Sequence, residues 1–244
     1  METDTMKLVP ATKTLEDPLS HLPCSTILGF RKKQVIFTQG EPSASIYLVI
    51  SGKVKVSRLG EGVSEAVLDI YQADEFFGES ALIGAPHSET AVALDETQVM
   101  SWTASELERI AAERPKLAIA LLQLVVQRSA EFGSRIESFA TETIQRRLAR
   151  ALIRFSDRFG HGTGDGAVQM MPLTHELLSM YLGTSREIAT HFLNQFRRAG
   201  YVRYSRREMV VYADALKQWL KEESGKRTIT GAKLAQAYTG AAAA

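Results

Sequence analysis

The chain has one cysteine, Cys24, among its 244 residues. A single thiol excludes an intramolecular disulfide, and with it any iron-sulfur cluster or zinc site that needs several thiolates from one chain. Long apolar runs are missing too: the longest, near Leu117 to Val126, is broken by Gln123 and falls well short of the roughly 20 residues that cross a bilayer. No membrane partner is expected. The first residues carry Glu2, Asp4, Glu16 and Asp17 without a basic stretch leading into an apolar one, so they do not read as a secretory signal and the expected location is the cytoplasm. Histidine is scarce, and only His21 and His87 fall in the first half. A metal-dependent enzyme inside a β-barrel needs several histidines and a carboxylate converging, so that class is not expected. No Ser-His-Asp arrangement, Walker loop or H-E-x-x-H string is present either, so no catalytic residue or metal site is assigned and the chain does not read as an enzyme.

What is present is ordinary in amount and uneven in distribution. Hydrophobic residues make up 45% and charged residues 23%, close to the average of folded soluble chains, and the length suits two domains. Residues 1–140 hold 13 Lys/Arg against 19 Asp/Glu, whereas residues 141–220 hold 12 against 7. An acidic first half joined to a basic second half points to a polyanion met by the second; the blander reading is an imbalance spread over solvated faces.

From Gln34 to Trp102, apolar and β-branched stretches (Val35 to Phe37, Ile46 to Ile50, Val54 to Val56, Ala66 to Ile70, Val99 to Trp102) alternate with breakers such as Gly40-Glu41-Pro42 and Gly84-Ala85-Pro86. That spacing predicts a compact antiparallel roll. Ser105 to Ala112 then reads as a short helix ended at Arg114-Pro115. A long helix follows, in which Ala118, Leu122, Val125, Ser129, Phe132, Ile136 and Phe139 fall on one heptad seam. Such a helix, roughly 33 Å long, is too extended for one small roll to cover, so a parallel homodimer is expected. Thr141 to Phe159 predicts another amphipathic helix, apolar through Ile144, Leu148, Ala151, Leu152 and Phe155, with Arg146, Arg147, Arg150, Arg154 and Arg158 on the polar side.

After a glycine-rich loop (Gly160 to Gly166) and a short strand at Val168 to Met170, the pattern of a helix-turn-helix begins. Thr174 can cap a first helix running to Leu182, Gly183 makes the turn, and Thr184 with Glu187 offers a capping box for a second helix running to about Ala199. Tyr201 to Tyr204 and Met209 to Tyr212 read as a two-stranded wing. In this arrangement the start of the second helix enters the major groove, making Ser185, Arg186, Glu187, Thr190 and His191 candidate readers. Arg197, Arg198, Arg203, Arg206 and Arg207 are candidate phosphate contacts, with Thr174 beside them.

Over residues 22–212 the sequence resembles the family of the cyclic-AMP receptor protein and FNR. The motifs Gly40-Glu41-Pro42, Tyr47-Leu48-Val49, Gly52-Lys53-Val54, Phe76-Phe77-Gly78-Glu79 and the helix-turn-helix occur in the family's order. The resemblance implies an α+β chain: a double-stranded β-helix (jelly-roll) sensor at 22–115, a dimerisation helix at 116–140, a winged helix-turn-helix at 141–220 and an extension of unknown role at 221–244. It implies transcription regulation by a homodimer on double-stranded DNA, with RNA polymerase as a further partner. Ser185-Arg186-Glu187 is similar to members that read a palindromic TGTGA-like site, with departures at Thr190 and His191.

The resemblance places the effector pocket at Gly78, Glu79, Ser80, Glu89, Thr90, Phe132 and Gly133. The family's phosphate-binding Arg-Ser pair is Glu89-Thr90 here, and a carboxylate about 4 Å from a phosphate costs on the order of 4 kcal/mol at an effective dielectric near 20. Cyclic AMP is therefore disfavoured, as are the family's four-cysteine cluster and haem or thiol sensing through the lone His87 or Cys24. Three readings remain: another small-molecule effector or a cyclic dinucleotide, constitutive DNA binding, and a protein-interaction module that uses the wing only as a surface.

Overall fold

The computed structural model describes residues 15–61, 64–163, 166–205 and 207–223. The first part is a β-roll. Strands β1 (Thr26–Phe30), β8 (Thr97–Thr103), β3 (Ser45–Ser51) and β6 (Phe76–Phe77) form one antiparallel sheet in that spatial order. Strands β2 (Val35–Phe37), β7 (Thr90–Ala93), β4 (Val54–Leu59) and β5 (Glu65–Tyr71) form the other. Their inward side chains, among them Phe37, Val49, Val54, Val56, Phe77 and Val99, make one core. Alternation along β4 sets that inner face, whereas β3 is covered on both sides, Val49 facing this core and Ile46 and Leu48 the opposite one.

Helix α1 (Ala104–Glu113) opens on a complete capping box, Thr103 with Glu106. It packs through Leu107 and Ile110 onto Trp102, Phe76 and Ile46. Pro115 starts α2 (Pro115–Thr141), where a missing N–H is harmless. Leu117, Leu121 and Leu124 of α2 face the roll. The opposite face is bare: Leu122 is 59% and Ile136 67% exposed, and Val125, Phe132 and Phe139 are exposed beside them. Through Leu122, Val125 and Ile136 the heptad seam therefore does not pack on the roll.

Helix α3 (Ile144–Phe159) begins after a two-residue break, capped by Thr143. With α4 (His175–Leu182), α5 (Arg186–Arg198) and a helix over 213–223 (α6), it builds a second core around Leu148, Leu152, Phe155, Leu178, Leu193 and Phe196. The wing is larger than two strands. β11 (Val202–Tyr204) and β12 (Met209–Val211) join β10 (Val168–Met170) and β9 (His161–Gly162) in a four-stranded antiparallel sheet.

The second core reaches into the roll, because fully buried Val67 and Ile70 of β5 belong to it. Around them lies an ionic clamp. Asp69, only 7% exposed, receives Arg154 at 2.7 Å and Arg158 at 2.8 Å, and Glu75 receives Arg158 at 2.6 Å. Burial alone would depress the Arg158 guanidinium, but Asp69 and Glu75 outweigh it and push its pKa up. Arg146, 8% exposed, and Arg150 both bond Glu142 at the α2–α3 break. Arg146, Arg150, Arg154 and Arg158 of this polar side thus meet carboxylates of this chain, which removes much of their charge from any polyanion site.

Asp69→Ala leaves two guanidiniums short of their shared partner. Breaking such a buried pair costs about 3 to 5 kcal/mol. Thermal unfolding should shift down accordingly, and hydrogen exchange should rise first in β5 and α3, which the clamp joins; unchanged protection there would contradict the clamp.

Candidate nucleic-acid interface and sensor pocket

The interface is built on α4, α5 and the wing. Thr174 caps α4, its hydroxyl accepting from Leu177 N at 3.0 Å. Gly183 ends α4 in the left-handed region with φ 63, and a Cβ added there would come within 3.3 Å of the Phe139 ring. The turn is thus tight and seated on the end of α2. Thr184 N–H closes α4 by donating to Ser179 O at 3.1 Å, which leaves Ser185 as the cap of α5. The Thr184–Glu187 capping box expected from the sequence does not form.

Ala189, Leu193 and Phe196 bury one face of α5. The other carries Arg186, Glu187, Thr190 and Arg197, at spacings that keep them on one side of the helix. Arg186, Glu187 and His191 are exposed, and among the described residues Arg186, Arg197, Arg198, Arg203 and Arg207 form no ion pair. Arg206 lies outside the described residues. The Glu187 carboxyl is held below its usual range by a backbone N–H, the Ser185 hydroxyl and neighbouring Arg186, so it is ionised and can accept hydrogen bonds at neutral pH. Ser185 is occupied as a cap at 3.3 Å from Ile188 N, and the His191 ring nitrogen Nε2 lies 2.9 Å from Gln195 Nε2. Arg186, exposed and without an ion pair among the described residues, is therefore free to meet a ligand, and the Glu187 carboxylate beside it can accept further bonds beyond those from its own backbone and Ser185. The surface they make can donate a forked pair of bonds and accept beside it, with separate cations along its rim.

Two residues with consequences here escaped the sequence reading. His175, the first residue of α4, bonds the Thr190 hydroxyl. Arg128, on the roll-facing stripe of α2, reaches into the roll: it is paired with Glu79, donates to Phe76 O and stacks 4.7 Å from the Tyr71 ring centroid. The stripe Leu117, Leu121, Leu124 continues at helical spacing to Arg128 and Arg135, which was the available signal. Arg135 in turn donates to Val67 O at 2.7 Å and Tyr181 O at 2.6 Å, joining β5, α2 and the end of α4.

The polar pocket residues expected from the sequence take partners within this chain. Gly78 has φ 84, and a Cβ there would lie 3.0 Å from the Tyr47 ring, so the chain makes its close turn before Glu79. Glu79 is taken by Arg128. Ser80 bonds His87 at 3.3 Å, Thr90 accepts from Gln39 N at 3.0 Å, and Glu89 is bonded by Ser88 and lies 3.9 Å from Arg58. Phe132 lines the crevice between β5 and α2, whereas Gly133 is exposed with open space where a Cβ would stand. That crevice, bounded also by Tyr71, Arg128 and Arg135, holds only about 10 Å³. One water is about all that this crevice holds, and of the expected pocket residues only Phe132 lines it.

Among the described residues no helix is long and apolar enough to cross a membrane. Residues 28–114 match the family model described as a cyclic nucleotide-binding domain, and residues 146–219 match a Crp-like helix-turn-helix domain. A CRP-like cAMP-activated global transcriptional regulator of Mycobacterium tuberculosis is 26% identical over 75% of this chain and 83% of its own. The transcriptional regulator SdrP of Thermus thermophilus is 29% identical over 72% of this chain and 84% of its own. Among solved structures, a CRP/FNR-family regulator, also from Thermus thermophilus, aligns with TM-score 0.68 at 26% identity, over 80% of this chain and 98% of that one. FixK2 from Bradyrhizobium japonicum shares the fold with TM-score 0.71 at 21% identity, over 80% and 96%. With a β-roll, a long helix and a winged helix-turn-helix in this order and these matches across them, the chain belongs to the CRP/FNR family of DNA-binding transcription regulators.

Proposed function

We propose that this chain acts in the cytoplasm as a homodimer joined along the α2 seam, and that each protomer sets the start of α5 into one half of a palindromic TGTGA-like site. The observation that carries this reading is the exposed Arg186, without an ion pair among the described residues, beside an ionised Glu187 at the leading edge of α5. Arginine can donate two bonds to guanine O6 and N7, and a carboxylate can accept from cytosine N4. Arg197, Arg198, Arg203 and Arg207 supply phosphate contacts, and RNA polymerase is the further partner that the family suggests. Titrating a duplex with two such half-sites about 34 Å apart against a scrambled duplex, at several salt concentrations, tests the reading. A clear preference and a steep salt slope support it; a slope near zero supports a protein-interaction module instead.

We further propose that DNA binding needs no effector in the roll. What supports this reading is that Arg128 supplies internally a cation that pairs with Glu79 and bridges roll to helix. Arg128→Ala strands the Glu79 carboxylate and should destabilise the roll by about 2 kcal/mol, a buried-pair cost reduced by partial exposure. Glu79→Gln combined with Arg128→Leu should recover most of that loss in a thermal melt. Cyclic AMP or a cyclic dinucleotide added to the wild-type protein should leave its DNA affinity unchanged; a tenfold tightening would show that Arg128 is displaced by an effector.

A further inference from the structure

The His175 imidazole is held between two elements. Its Nδ1 lies 2.8 Å from the Thr190 hydroxyl oxygen on α5, and its ring meets the Tyr204 ring edge-on with centroids 5.5 Å apart. Tyr204 is itself fixed, since its hydroxyl donates to Asn194 Oδ1 at 3.0 Å and the Arg197 guanidinium lies 5.3 Å from its ring centroid. The first turn of α4, the middle of α5 and the wing are thus pinned at one point. Burial and the nearby charges of Arg186 and Arg197 lower the His175 pKa, which keeps the imidazole neutral at pH 7. Thr190 follows Arg186 by four residues and Glu187 by three, so it shares their outward edge. In either imidazole tautomer its hydroxyl oxygen is turned toward α4. Staggering then sets the γ-methyl about 120° away on Cβ, as the group left to meet a base.

We infer that His175 is a specificity-determining positioning residue, which holds the Thr190 hydroxyl inward so that the γ-methyl reads the C5-methyl of one thymine in each half-site. This rests on α5 entering the major groove. A β-branched residue with its polar arm committed is an apolar reader, and apolar contact is how a thymine methyl is distinguished. The alternative, a hydroxyl that bonds a base edge or phosphate, requires Thr190 to leave His175.

The test uses the full-length protein and a palindromic duplex that it binds, with each thymine of both half-sites replaced in turn by deoxyuridine, which removes only the methyl. Wild type should lose about fourfold per half-site at one position, the equivalent of about 0.8 kcal/mol for one buried methyl. Thr190→Val keeps the methyl groups and should keep that loss, whereas Thr190→Ser should be indifferent to the exchange. His175→Ala should reduce the deoxyuridine effect in the wild-type background and leave it unchanged in the Thr190→Val background, a non-additivity that general loss of stability does not produce. The inference is overturned if wild type ignores every exchange, or if Thr190→Ser keeps the effect and Thr190→Val loses it. Failure of the groove reading itself looks different: wild type would then show no sequence preference on any duplex.

Discussion

Leu122→Glu combined with Ile136→Glu should turn the protein into a folded monomer and weaken its binding to a palindromic duplex by about 10²- to 10⁴-fold. Both side chains are among the most exposed large apolar residues of α2, and neither helps hold the roll or the α3–α6 unit together. Their replacement therefore costs little within a protomer. In a parallel pair the same positions face each other, so each substitution places two like charges in what was an apolar seam. Losing the second protomer converts a bivalent encounter into a monovalent one, and the fold-change quoted is the usual gain from linking two sites. Sedimentation should give the monomer mass, with the far-ultraviolet spectrum largely unchanged. A variant that stays dimeric and binds as before would place the interface elsewhere.

Arg186→Ala should cost about 1 to 3 kcal/mol per half-site and relax the choice at one base pair. With one such residue per protomer and the half-sites well separated, the losses should nearly add across the dimer. The side chain is exposed and forms no ion pair among the described residues, so its removal strands no internal partner and should leave the melting temperature within a degree or two. Arg197→Ala is the informative contrast. As a phosphate contact it should weaken binding about equally on all duplexes and reduce the salt slope by about one per protomer.

The elements legible in the sequence were those whose burial is one-sided and local. β2 and β10 lie where the apolar stretches put them, and α2 starts at its proline. β1 was missed because it is an edge strand with four of its five residues exposed, and β6 because two consecutive buried phenylalanines show no alternation. The cap of α5 moved by one residue because the Thr184 N–H is used to finish α4, a competition between two adjacent helix ends that spacing does not reveal. The pairing of Arg128 with Glu79, and the α3 arginines with Asp69 and Glu75, were hidden for a common reason. A polar face looks alike in sequence whether it meets water or a carboxylate brought from a distant strand.

The most direct test of the account is to replace a single guanine in each half-site by 7-deazaguanine, which removes the N7 acceptor, and to compare wild type with Arg186→Ala. At one guanine wild type should weaken about tenfold per half-site while the variant does not change. Equal losses in both proteins, or no loss at any guanine, would contradict the claim that the leading edge of α5 reads bases.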